Sequence, residues 1–208
     1  MLYAVNDEGG IEDLARIVSD SLKSAYRGLG DIVVVHKKVA LEEVRWGSRV
    51  LSKSRLGQSQ DIVERLRHAN IGLFPFSFFV TPEGNCLLTI PPIVEAYCID
   101  ADEKRYLLLD GSHRCFAALP TSLSVAVLVI SFVTKSRPLP CKPLLPSDVR
   151  VLETQPKLDQ LFVDFVASDF RPVRRLTHKT FRFPSLKDAL VSMRMKESSL
   201  LIVPESKR

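Results

Sequence analysis

The segment Tyr106-Leu-Leu-Leu-Asp-Gly-Ser-His-Arg-Cys-Phe-Ala-Ala-Leu119 constrains the fold more than any other part of the chain. Tyr106 to Leu109 is a short apolar run of strand length, Asp110-Gly-Ser-His-Arg114 is a polar turn, and Cys115 to Leu119 has the small and apolar residues of a packed helix. A buried strand that feeds a helix through so short a turn needs a sheet beside it and a layer for the helix to cover. That arrangement is α+β. With 208 residues, 46% of them hydrophobic and 25% charged, the chain is large enough to bury one core, and disordered, collagen-like and coiled-coil readings are excluded.

The flanking sequence supplies the other elements. Ile11, Leu14, Val18, Leu22 and Tyr26 recur at three- and four-residue spacing between Gly9-Gly10 and Gly28, which predicts a helix over 11–27 with glycine stops. Ile32-Val-Val-Val35 is a β-branched strand. Residues 40–52 and 58–69 read as two helices separated by Gly57, the second with Ile62, Val63 and Leu66 inward and Glu64, Arg65 and Arg67 outward. From Leu73 the aromatic run Phe74, Phe76, Phe78, Phe79 reads as a sheet face, Thr81 to Asn85 as a turn and Cys86 to Ile90 as the returning strand. Ile93 to Ile99 and Tyr106 to Leu109 follow as a further hairpin around a charged turn, and Val125 to Phe132 as a last buried strand.

Pro138, Pro140, Pro143 and Pro146 punctuate a connector after about residue 135. The expected organisation is an N-terminal helix in 1–31, a core in 32–135 and an extension in 136–208. Within the extension, residues 157–167 and 185–196 read as helical and Leu200 to Val203 as a strand. The uncharged stretch Cys115 to Thr134 contains Pro120 and three hydroxyl residues soon after it, so it reads as helix, turn and strand and not as a membrane span. The first residues have no basic segment followed by an apolar one, so no signal peptide is expected. Together these predict a reduced, cytoplasmic protein.

Charge is divided unevenly. Residues 1–135 carry 15 basic and 16 acidic side chains, and residues 136–208 carry 14 and 8. A C-terminal basic excess suits a polyanion such as DNA, although a basic solvated surface meets the same arithmetic. The DNA-contact candidates are Arg171, Arg174, Arg175, Lys179 and Arg182, which could reach phosphates, with Phe181 and Phe183 available to stack on unpaired bases; the alternative is a surface strand whose aromatics alternate into the core. Cys86, Cys98, Cys115 and Cys141 include no paired spacing and the four histidines are scattered, so no metal site is expected. Trp46 reads as a core residue on an amphipathic helix.

The turn after Leu109 is the chemical candidate. The first amides of a helix have no intrahelical acceptor, and the helix dipole is positive there, so a phosphate can take their hydrogen bonds. Gly111 permits close approach of the backbone, Ser112 can cap the helix or bond to phosphate, His113 can donate or transfer a proton, and Arg114 offers a bidentate fork. The alternative is an ordinary junction in which Asp110 or Ser112 caps the helix and Arg114 pairs with a carboxylate.

Pro92-Ile-Val94, the hairpin Tyr97 to Tyr106 and Leu109-Asp-Gly-Ser-His-Arg114 with Ala117-Ala118 resemble the core of the ParB/sulfiredoxin-like superfamily, over roughly residues 32–132. The resemblance implies a mixed sheet flanked by helices, with Gly111, Ser112, His113 and Arg114 contacting nucleotide phosphates and Asp110 as a catalytic group. Ser112 stands where sulfiredoxins have their cysteine, which removes reductase chemistry. The extension is too short for the helical DNA-reading and dimerisation parts of partition proteins. The outline is similar to the short ParB-like ATPases and nucleases that inhibit fertility of conjugative plasmids. That implies ATP, with a magnesium ion on its phosphates, as cofactor, DNA as partner, and a link to the conjugation machinery. A resemblance to free-serine kinases implies instead an upstream glutamate base, for which Glu42 and Glu43 are the candidates. A third reading is an interaction module that binds nucleotide without turning it over.

Overall fold

A computed structural model of the chain describes residues 1–99, 103–133, 138–154, 162–164 and 181–205. The architecture is mixed α+β. Two five-stranded sheets are formed among the described residues, together with a two-stranded parallel pair. The mixed sheet has the order β2 (Ile32–Ala40), β9 (Ser124–Phe132), β7 (Ile93–Cys98), β8 (Lys104–Asp110), β3 (Val44–Trp46). The antiparallel sheet has the order β11 (Arg182–Phe183), β6 (Cys86–Thr89), β5 (Ser77–Val80), β1 (Leu2–Val5), β12 (Leu200–Val203).

Both faces of the mixed sheet's inner strands are covered, which is why they read as apolar runs, whereas Val33 and Val35 on the edge strand β2 are half-exposed. On β9, Val125, Val127 and Val129 enter one cluster with helices α2 (Lys53–His68) and α3 (Ser112–Ala118), while Leu128 and Ile130 enter a second cluster with α1 (Glu8–Tyr26). The second cluster also takes Phe76, Phe78 and Leu88 from around the antiparallel sheet. The C-terminal residues contribute to that sheet. β12 pairs antiparallel with β1, Leu2 opposite Val203 and Val5 opposite Leu200, and β11 pairs with β6.

Several local expectations are corrected. α1 begins at Glu8, because Asp7 caps it by accepting from the Gly10 amide at 2.8 Å; the glycine pair lies inside the first turn. Residues 40–52 are not a helix. A 3-10 turn at Leu41–Glu43 leads into β3, and β4 (Val50–Ser52) follows, pairing in parallel with β10 (Arg150–Leu152). Val44 and Trp46 are fully buried with Arg45 between them, a period of two that the short run shares with a helical spacing until β8 supplies a partner strand. Gly57 does not separate two helices but sits within α2, at a place where an added Cβ would meet nothing within 4 Å.

Arg65 is buried rather than solvated. Its Nε donates to the Pro204 carbonyl at 3.0 Å and an Nη to the Val203 carbonyl at 3.1 Å, so α2 holds the end of β12. Phe74, Phe76 and Phe78 are buried, whereas Phe79 is half-exposed, so the aromatic run is not one face. The helix expected at 157–167 falls mostly outside the described residues. Leu186–Ser192 forms helix α4. No helix among the described residues is long and apolar enough to cross a membrane.

Candidate functional site

Two strand-to-helix junctions meet at one pocket. β8 ends at Asp110 and passes through Gly111 into α3, and β4 ends at Ser52, which begins α2. The pocket between them has a volume of about 690 Å³, within the range of small-molecule sites. It lies outside the carboxyl ends of these strands, where open α/β sheets place their ligands.

Gly111 makes the first junction possible. Its φ of 88° and ψ of 18° are left-handed, and a Cβ there would come within 2.8 Å of the Pro92 Cβ. Neither Asp110 nor Ser112 caps α3: Gly111 is the N-cap, and no side chain bonds to the first amides. α2 also lacks a side-chain cap and has no acidic residue in its first turn. Both helix starts are therefore electropositive and uncapped beside the same cavity.

The histidine and arginine of the turn are already engaged. His113 Nε2 accepts a hydrogen bond from the Ser52 amide at 3.0 Å, so the ring ties the start of α2 to the start of α3 in its Nδ1-protonated form. Arg114 donates to the Ile90 carbonyl at 2.6 Å and to Asp110 Oδ2 at 3.3 Å, and its guanidinium lies 5.7 Å from the centre of the Phe74 ring. These bonds occupy the guanidinium and hold Asp110 at the rim of the pocket.

Trp46 Nε1 donates to the Ser112 carbonyl at 3.3 Å, and its ring meets Phe116 edge-on at 6.3 Å. Trp46 is thus a core residue, as expected, but on a strand. Glu42 and Glu43 are not brought to the pocket. Glu43 Oε2 accepts from the Ala40 amide at 3.3 Å and closes its own turn, and Glu42 is exposed. Val44 stands beside Tyr106 in the parallel pairing, so the glutamates lie near the beginning of β8. Asp110 is at its other end, roughly 13 Å away at ~3.3 Å per residue.

Arg182 lines the pocket with Phe181, the end of the basic aromatic stretch, while Arg171, Arg174, Arg175 and Lys179 lie outside the described residues. The sequence reading missed the α2 wall: Ser52, Arg55, Gln58 and Ser59. A helix assigned across 40–52 concealed the second junction, whose signal is the apolar pair Val50-Leu51 followed by Ser52-Lys-Ser-Arg55.

No group of three or more His, Cys, Asp or Glu among the described residues could hold a metal ion. Among the described residues Asp110 is the single carboxylate lining the pocket, and it is already paired with Arg114, so these residues do not fit a protein-held magnesium ion. Thiol chemistry is equally disfavoured at the turn. Burial, partly offset by the neighbouring Arg114 and reinforced by Asp110, pushes the Cys115 thiol up to about 12. Burial raises Cys86 to about 11, and Cys141 is buried, whereas Cys98 is exposed. In native protein at pH 8, Cys98 should alkylate rapidly and Cys86, Cys115 and Cys141 only after unfolding. Mass spectrometry of iodoacetamide-treated protein checks this, and rapid modification of Cys115 would contradict the packing.

Fold and site together define an α+β protein with an electropositive pocket at paired strand-to-helix junctions. No family model matches the chain, and neither a curated protein nor a solved structure matches it.

Proposed function

We propose that the chain is a nucleotide-binding protein of the ParB/sulfiredoxin-like kind that hydrolyses ATP and acts on DNA. The observation that carries this reading is the convergence of two uncapped helix starts on one pocket, bridged by the Ser52 to His113 hydrogen bond. Phosphates bind at the α2 and α3 amides, with Arg114 behind them. Asp110, the sole lining carboxylate among the described residues, takes a proton from the attacking water as the terminal P–O bond breaks and ADP leaves.

The basic stretch 170–183 ends in the pocket wall at Phe181 and Arg182, and this supports DNA as the partner. In a cell carrying a conjugative plasmid, such an activity would bear on DNA transfer. The serine-kinase reading lacks its base at the pocket, because Glu42 and Glu43 lie at the far end of β8.

Calorimetry with ATP, ADP and CTP, paired with phosphate release and a plasmid-nicking assay, tests the proposal. ATP should bind at one site, and Asp110→Asn should retain binding while losing at least about a hundredfold in phosphate release. Absence of binding by all three nucleotides would sink the reading. Binding without turnover would replace the enzyme by a nucleotide-regulated interaction module, and an intact plasmid would remove the nuclease.

A further inference from the structure

Two arginines in the pocket wall have no partner among the described residues. Arg55, in the first turn of α2, and Arg182, on β11, make no ion pair or side-chain hydrogen bond with the described residues, yet both line the cavity. Arg182 lies exposed between Phe181 and Phe183, which join the second hydrophobic cluster, and its register partner Leu87 also lines the pocket.

The α2 wall adds two hydroxyls to the cavity. Ser52 and Ser59 are only 6% and 7% exposed, and both line the pocket. Asp110, the only lining carboxylate among the described residues, is neutralised by Arg114, and His113 presents its Nε2 lone pair to the Ser52 amide. Among the described lining residues the uncompensated charge is therefore that of the two arginines, backed by the positive start of α2.

We propose that Arg55 and Arg182, with the Ser52 and Ser59 hydroxyls, form a two-sided clamp for linked phosphoryl groups, one side supplied by the C-terminal strand β11. The proposal rests on the nucleotide reading of the pocket and narrows the ligand to a di- or triphosphate. Each guanidinium offers a planar fork of donors. Two forks, two hydroxyls and the α2 amides provide more donors than the three terminal oxygens of one phosphoryl group accept well. A chain of phosphoryl groups uses both sides.

Calorimetry on the full chain with ATP, AMP and inorganic tripolyphosphate tests the clamp. Arg55→Ala and Arg182→Ala should each weaken ATP binding by about tenfold or more, the loss expected for a charge-assisted hydrogen bond. AMP binding should change by less than about threefold. Arg182→Lys, which keeps the charge and loses the fork, should fall between. Both arginines are exposed, so unchanged thermal midpoints verify folding. If ATP binds the wild-type chain and either alanine variant equally, the clamp is overturned; an equal loss for AMP overturns the linked-phosphoryl assignment. If no nucleotide binds, the nucleotide reading fails by itself, and tripolyphosphate decides the clamp. Binding weakened by both substitutions upholds it, and no binding refutes it.

Discussion

Gly111→Ala should lower the unfolding free energy by about 2–4 kcal/mol, as the sum of ~1–2 for a left-handed non-glycine residue and a similar amount for forced repacking. The new Cβ would stand 2.8 Å from Pro92 Cβ, 3.0 Å from its Cγ and 3.1 Å from its Cα. None of these atoms can swing aside, because Pro92 is buried, a rigid ring leading into β7, and its carbonyl accepts from the Leu128 amide at 2.9 Å. Gly84 is an internal control. It has the same φ of 88°, but a Cβ there would meet nothing within 4 Å, so Gly84→Ala should show only the backbone component. Urea denaturation of both variants measures the difference, and equal midpoints would show that Pro92 yields. Because Gly111 sets where α3 begins, ATP binding should fall in Gly111→Ala and stay unchanged in Gly84→Ala.

The same contact explains part of what the sequence could convey. Glycine after Asp110 marks a turn, and the run Tyr106 to Leu109 marks a strand, so this junction and its helix are legible from local pattern alone. What the glycine packs against is not, because Pro92 is distant in sequence and meets it only through the β7–β8 pairing. Ser52 and His113 show the same limitation. Each is an ordinary polar residue in its own segment, and the bond between them exists only when two strand ends are side by side.

Arg114 was legible as an anion fork by residue type, yet the fold spends that fork on the Ile90 carbonyl and on Asp110. Arg55 carries no signal in the sequence because its segment reads as the space between two helices. Short runs such as 44–46 carry too few residues to separate a period of two from one of three or four, and tertiary pairing makes the decision. Long elements such as α1 and β9, with several turns or a full alternation, were readable. The C-terminal strand β12 was readable as a strand, but its place beside β1, at the opposite end of the chain, was not.

The position where strand, helix and pocket depend on one side chain is Trp46, the single tryptophan. It is fully buried, its backbone exchanges hydrogen bonds with Leu144 at 2.8 and 2.9 Å, and its indole reaches across to the Ser112 carbonyl and the Phe116 ring. Trp46→Ala should cost about 3–5 kcal/mol, the range for truncating a buried aromatic, out of a typical total of about 5–15. Trp46→Phe keeps most of the apolar volume but removes the indole N–H, leaving the Ser112 carbonyl without that donor, and should cost about 1–3 kcal/mol. Far-UV circular dichroism during urea unfolding measures both, since neither variant retains the tryptophan signal. The site effect separates packing from positioning. If the indole fixes the first turn of α3, Trp46→Phe should weaken ATP binding under conditions where the variant is fully folded, whereas Phe116→Leu, which disturbs the ring contact but spares the hydrogen bond, should not. A Trp46→Phe variant with wild-type affinity would confine the residue to the core, and a Trp46→Ala variant within about 1 kcal/mol of wild type would contradict its burial.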